Sequence, residues 1–229
     1  MRIETLPTAE AAADAAAQAL IERLRPAGPK RLMVTGGRGP GPVYDRLAGV
    51  DLDWSRVTVT LSDDRFVPLG APESNEAMVR ARLIQHHAAA AKLVPLNGAA
   101  KTPAEAAAAI EPTIRDLLPF DATLLGMGPD GHIASLYATS PNIAAALDPA
   151  GETLAVGVKS PGWSPYVPRV SLTGRALFDS GLIVLLVGGD DKKALIAQAL
   201  SDPDFHPPVA ALLRQTKSPV RILWSPGDA

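Results

Sequence analysis

The chain has 229 residues, no cysteine and a formal net charge of −2. That length buries a full core without covalent staples. The composition excludes disulfides, thiolate nucleophiles and cysteine metal sites, and leaves no bulk basic field to attract nucleic acid. The N-terminal run MRIETLPTAEAAADAAAQAL mixes acids with alanine and has no basic stretch before an apolar core, so it does not read as a signal peptide. No apolar run approaches the roughly 20 residues that span a bilayer. The expectation is a cytoplasmic protein made of one domain, residues 1–229.

Thr8–Arg25 is alanine-rich, with Leu20, Ile21 and Leu24 on one helical face, and the Pro26–Pro29 segment stops it. Arg31–Thr35 reads as a buried strand running into a glycine-rich turn, with a short helix over Val43–Leu47 after Pro42. Val57–Leu61 is β-branched and apolar, the next strand, and ends on a charged loop, Asp63–Pro68. Ser74 is placed to cap a helix over Asn75–Ala91, and Leu93–Leu96 is a brief extended piece. Thr102–Glu105 is a capping box with proline at the first helical position, and Pro112 is expected to kink or restart that helix.

Ala122–Leu125 is a short apolar strand. It leads through Gly126, Gly128, Pro129 and Gly131 to His132, and Ile133–Leu136 reads as the first turn of a helix capped by Asp130. Thr153–Val158 and Arg169–Thr173 read as strands around a proline-rich loop. Leu182–Val187 is the most apolar strand. Gly188 and Gly189 turn it, and Asp190 is expected to cap a helix over Asp191–Leu200. A short helix over Pro208–Leu213 and a strand over Val220–Trp224 close the chain. Strands alternating with helices, and apolar on both sides, predict a mostly parallel sheet covered on both faces, a three-layer α/β/α fold.

In such folds ligands sit outside the carboxyl ends of the strands. The strand ending at Leu125 delivers His132, and a helix N-terminus there would favour the neutral, basic imidazole. The strand ending at Thr35 delivers Gly36, Gly37 and Arg38, an anion nest with a forked cation beside it. It matches neither the dinucleotide fingerprint nor the P-loop. The strand ending at Leu61 delivers Asp63, Asp64 and Arg65, two carboxylates and a guanidinium. The strand ending at Val187 delivers a glycine turn and Lys192 near a helix start, suited to phosphate. Arg169 follows a loop containing Pro161, Pro165 and Pro168 and is placed to lean over the site. His86 and His87 read as solvated, His206 as a loop residue, and no histidine spacing suits a metal.

GMGPDGHIASL, with SDDRFVP and a following ESN, resembles the 6-phosphogluconolactonase family, which belongs with glucosamine-6-phosphate isomerase/deaminase and ribose-5-phosphate isomerase-like folds. The similarity spans nearly the whole chain. It includes the Thr35–Gly37 loop, the Ser74-Asn75 pair, the strand beginning at Arg169, the turn ending at Lys192 and the C-terminal segment. It implies a modified Rossmann-like fold of the sugar-phosphate isomerase and CoA-transferase kind. It also implies hydrolysis of 6-phosphogluconolactone without metal or cofactor, by a monomer or weak homodimer with no nucleic-acid or membrane partner. In that scheme His132 is the general base and Asp63 or Asp130 holds it. Glycine-turn N–H groups are candidates for the oxyanion, and Gly36, Gly37, Arg38, Arg65, Arg169 and Lys192 are candidates for the phosphate. The departures are Asp64 for the family's Glu, Arg38-Gly39 for its hydroxyl pair, and Gly162 with an altered loop around Trp163. A deaminase is the alternative, but its relatives carry Phe-Asn-Glu where Ser135-Leu136-Tyr137 stand here. A sugar-phosphate sensor would need a DNA-binding appendage that the sequence lacks.

Overall fold

A computed structural model describes residues 2–159 and 166–227. Pro161, Gly162, Trp163 and Pro165, singled out in the sequence, lie outside the described residues. The elements in chain order are β1 (Ile3–Thr5), α1 (Ala9–Leu24), β2 (Lys30–Val34), α2 (Gly41–Ala48), β3 (Val57–Leu61), β4 (Asp63–Arg65), α3 (Asn75–Arg82), β5 (Lys92–Val94), α4 (Pro103–Leu117), β6 (Ala122–Leu125), α5 (Ile143–Leu147), β7 (Ala155–Val158), β8 (Arg169–Leu172), α6 (Gly174–Leu177), β9 (Ile183–Gly188), α7 (Asp190–Ser201), α8 (Pro208–Arg214) and β10 (Val220–Ser225).

Seven strands form one parallel sheet in the order β1-β10-β9-β6-β2-β3-β5. Helices flank it, as the alternation of elements predicts: α1 packs across β10, β9, β6 and β2, and α7 against β9. The strands are apolar because both faces are covered; Leu32, Met33, Leu124, Val184 and Leu185 are all fully buried. One core cluster joins them to Leu20 and Leu24 of α1 and to Leu223 of β10.

A second, antiparallel sheet of order β4-β8-β7 lies beside the first and packs against α4. The sequence does not announce it. Asp63–Arg65, expected as a loop, is its strand β4. The chain changes sheets at Ser62, whose N–H bonds Val34 O at 2.7 Å in one sheet while its carbonyl accepts from Leu172 N at 2.8 Å toward the other.

Four further expectations are corrected. The helix expected over Asn75–Ala91 stops at Arg82, and His86 takes a left-handed backbone (φ +48°) that opens a separate 3₁₀ turn. Pro112 neither restarts nor divides α4, which is continuous through it. Gly189, not Asp190, is the cap position of α7, and Asp190 stands in its first turn. Ile133–Leu136 is not helical. Gly131 (φ +81°) and Ala134 (φ +50°) both take left-handed backbone, and the segment closes as a bridge between Ile133 and Leu136.

Candidate active site

From β2 the chain proceeds to β3 and β5 on one side of the sheet; from β6 it proceeds to β9 and β10 on the other. The strand order therefore reverses between β2 and β6, and the crevice outside their carboxyl ends is where open α/β sheets hold ligands. A pocket of about 240 Å³ opens there. Gly36, Gly37, Arg38, Asp63, Arg65, His132, Arg169 and Lys192, all expected from the sequence, line it. The ninth expected residue, Asp130, stands behind His132. Among the described residues no cluster of three or more His, Asp or Glu is placed to hold a metal ion.

Two backbone devices aim the histidine. Gly128 has no side chain because the imidazole lies over it; an added Cβ would sit 2.0 Å from His132 Cε1. The Gly128 N–H bonds the His132 carbonyl at 2.9 Å, closing the turn. Asp130 was expected to cap a helix. Instead its Oδ1 meets His132 Nδ1 at 2.5 Å and accepts from the His132 N–H at 3.3 Å. Burial pushes the Asp130 carboxyl up, but the hydrogen bond and charge of His132 outweigh it and hold it below the ordinary range. The helix-dipole reading of His132 thus falls away, and a carboxylate takes its place. On the far side the imidazole packs on Tyr137, ring centroids 4.6 Å apart.

Asp63 is otherwise engaged. Its Oδ1 accepts from Ser62 Oγ at 2.9 Å and its Oδ2 from Ser135 Oγ at 2.6 Å, while the carboxylate faces the pocket. Successive residues of a strand face opposite ways, so Asp64 turns from the pocket toward α3. There it accepts from Asn75 N at 2.6 Å and Glu76 N at 3.3 Å, and also from Arg65 N at 2.8 Å. It is fully buried, and that burial outweighs the N–H donors and pushes its carboxyl up to about 6. Ser74 completes the cap by accepting from Ala77 N at 3.1 Å, as expected.

Asn75 is the site residue that the sequence reading missed. Its Nδ2 donates to Asp63 O at 2.9 Å and its Oδ1 accepts from Arg65 Nη1. Its amide fills the space that a side chain at Gly36 would need, 2.0 Å from the would-be Cβ. Its signals were its place beside the capping Ser74 and its membership of the Ser-Asn pair in the family resemblance, where it was given no role. Tyr137, at the end of the glycine–histidine stretch, was likewise quoted without a role.

The cations are graded by depth. Arg38 is exposed at the mouth, Lys192 half-buried, and Arg169 only 5% exposed. Lys193 lies over the Trp224 ring, its Nζ 3.6 Å from the centroid. The lysine at the pocket is therefore Lys192. At the back of the Gly36 loop, Tyr44 donates to Thr35 O and its oxygen accepts from Thr35 N at 3.2 Å, fixing the end of β2.

A parallel α/β sheet with a cation-lined crevice at its switch point, one carboxylate-held histidine inside it, defines an anion-binding α/β protein equipped for proton transfer. Residues 7–224 match the family described as glucosamine-6-phosphate isomerases/6-phosphogluconolactonase, and the chain belongs to that family. It is 42% identical to a 6-phosphogluconolactonase of Caulobacter vibrioides over 98% of this chain and 97% of the relative, and 40% identical to one of Rhizobium meliloti over 95% and 94%. A crystal structure of a 6-phosphogluconolactonase from Shewanella baltica superposes with a TM-score of 0.88 at 33% identity, covering 97% of each chain. A monomeric glucosamine-6-phosphate deaminase, 19% identical, shares the fold at a TM-score of 0.81.

Proposed function

We propose that this chain hydrolyses 6-phospho-D-glucono-1,5-lactone to 6-phosphogluconate, the lactone-opening step of the oxidative pentose phosphate pathway. The observation that carries the reading is the imidazole of His132, tied at Nδ1 to Asp130 and set in a pocket that also presents Arg38, Arg65, Arg169 and Lys192. The names of the relatives point the same way. On this reading the whole chain works as one lactonase domain, as a monomer or weak homodimer in the cytoplasm.

Asp130 holds the ring with the proton on Nδ1, so Nε2 is the nitrogen that works. Water attacks C1 of the lactone, and Nε2 takes its proton. The carbonyl π pair moves to oxygen and a tetrahedral oxyanion forms. That pair then returns, the bond from C1 to the ring oxygen breaks, and Nε2 gives its proton to the departing oxygen. The acid so formed loses its proton to solvent. Asp130 stabilises the imidazolium between the two transfers, the task a hydrogen-bonded carboxylate performs beside a catalytic histidine.

His132→Asn keeps a donor on the Nδ1 side in a smaller side chain while removing the base. Its kcat should fall by about 10²–10⁴, the range for one general base, with KM little changed. The assay is proton release from the lactone above the spontaneous rate, with ammonia release from glucosamine 6-phosphate as control. Near-normal kcat in the folded variant would remove His132 from this role. Comparison with unphosphorylated gluconolactone measures what the phosphate contributes.

A further inference from the structure

His132 and Tyr137 stand five residues apart. On a helix that spacing would turn the two side chains about 140° away from each other. Here the chain does the opposite. Ala134 takes left-handed backbone (φ +50°), and the bridge between Ile133 and Leu136 folds the segment back on itself. Left-handed backbone is unfavourable for a residue with a Cβ. Strain of this kind at a site calls for an account of what it achieves. What it achieves is visible: the Tyr137 ring lies against the His132 imidazole, centroids 4.6 Å apart and planes tilted by 59°.

Tyr137 is itself held firmly. Its side chain is buried. Burial pushes the phenol above its ordinary range, and the Arg169 charge and a hydrogen bond with Ser135 offset part of that, so the ring stays neutral. Ser135 in turn donates from Oγ to Asp63 Oδ2 at 2.6 Å, and its N–H donates to Ser171 Oγ at 3.2 Å. The Arg169 guanidinium lies over the ring, 5.7 Å from Cζ to the centroid, an attractive placement for a cation on an aromatic face. Asp63 belongs to β4, and Arg169 and Ser171 to β8. The phenol ring is thus anchored on the small sheet, whereas His132 follows β6 of the main sheet. Tyr137 does not line the pocket, so whatever it does for the reaction it does through His132.

The imidazole then has three constraints. Asp130 holds its Nδ1 edge, the bare Gly128 backbone lies against the ring, and Tyr137 packs on it as a further wall. One hydrogen bond and one glycine contact leave the ring a direction in which to swing; an aromatic wall removes it. We propose that Tyr137 is a positioning residue for His132, its ring clamping the imidazole against Gly128 and onto Asp130 from an anchorage on the small sheet. The consequence for the reaction rests on the lactonase reading, but the clamp is a property of the unliganded chain.

Proton magnetic resonance of the unliganded full chain reads the clamp directly. The native chain should show the His132 Nδ1–H as a distinct signal downfield of the backbone amides, assigned by its loss in His132→Asn. It should also show cross-relaxation between the ring protons of His132 and Tyr137. Tyr137→Leu should lose the downfield signal. Its kcat on 6-phosphogluconolactone should fall about 10²-fold, the cost of displacing a reacting group by about 1 Å. KM should change less than about threefold, since the groups expected to hold the phosphate are untouched. Tyr137→Phe, which keeps the ring, should recover the signal and most of the kcat. Phe178→Leu removes another fully buried ring, and should keep both signal and kcat however far it lowers Tm. Should Tyr137→Leu not fold, Tyr137→Met fills the space without a ring and carries the same expectation. A native-like signal and kcat in the folded Leu or Met chain would overturn the proposal, as would missing ring-to-ring cross-relaxation in the native chain. Equal losses in Phe178→Leu would reduce Tyr137 to ordinary core packing and overturn it too. A clamp seen by resonance in a native chain that does not turn over the lactone would instead overturn the lactonase reading and leave the role of Tyr137 standing.

Discussion

At the residue scale the site depends on what is missing as much as on what is present. Gly128 is glycine because the imidazole occupies the place of its Cβ, and its backbone is not left-handed, so an alanine is tolerated there except for the clash. Gly128→Ala should fold with little change in stability but push the His132 ring off its seat. A displacement of about 1 Å at a reacting group costs on the order of 10²-fold, so kcat should drop by about that factor while phosphate affinity persists. A variant with full kcat would show that the ring is not held against Gly128 during turnover. The residue types of this site were largely legible in the sequence, because histidine, arginine and lysine after glycine turns have few other reasons to be there. Two assignments were not legible. Nothing in the order of residues chooses between Asp63 and Asp130 as the partner of His132, since that depends on whether the turn closes on itself. Asn75 was hidden because its amide works through Gly36 and Arg65, contacts made across the chain rather than along it.

At the element scale the misses share a cause. HIASLY has the composition of a helix start, yet the segment is drawn onto the second sheet. Ser135 N donates to Ser171 Oγ at 3.2 Å, and Ser135 Oγ reaches Asp63. These long-range bonds outweigh a local preference worth at most tenths of a kcal/mol per residue. The three-residue strand β4 escaped for the same reason: its ladder partner, β8, lies a hundred residues away in the chain. The seven strands of the main sheet mostly read correctly because burial on both faces writes itself into composition.

The joint between β4 and α3 also carries a pH signature. Burial disfavours the charge of Asp64 and pushes its carboxyl in the folded chain up to about 6, from an ordinary value of 3.8. The folded state therefore holds this proton between those values while the unfolded state has lost it. The stabilisation is complete below about pH 3.8 and is lost as pH rises through 6. Asp64→Asn stays uncharged throughout and should flatten that part of the profile. Denaturant titrations at pH 4 and 6.5 should show the native chain losing roughly 2 kcal/mol more than the variant across that interval. Parallel slopes for the two would mean that Asp64 is ionised across the range.

At the scale of the whole molecule, the pocket is the place where two sheets meet. The main sheet supplies Gly36, Gly37, Arg38, His132 and Lys192 from the ends of β2, β6 and β9. The small sheet supplies Asp63, Arg65 and Arg169 from β4 and β8. Apart from β1, the strands of the main sheet were legible from their apolar runs; of the small sheet β7 and β8 were read as strands, but β4 was not, since it carries Asp63, Asp64 and Arg65 where a buried strand normally carries valine. Those charges are in the strands because the site is there. A ligand spanning the pocket would cross-link the two sheets, so its binding should stabilise the molecule as a unit rather than one loop. At a hundredfold excess over its dissociation constant, a ligand specific to the folded state adds about 2.7 kcal/mol. For a chain of this size that corresponds to a rise in Tm of about 5–10 °C with 6-phosphogluconate. The rise should appear as a single sharpened transition, whether followed by tryptophan fluorescence or by far-ultraviolet circular dichroism. Trp224 reports on the end of β10 beside the Lys193 helix, and Trp54 on the far edge next to β3. Both tryptophans report on the main sheet, so a fluorescence transition raised by the ligand while part of the circular-dichroism transition stayed behind would show the two sheets unfolding independently, and the pocket would then be a feature of one sheet that the other merely borders.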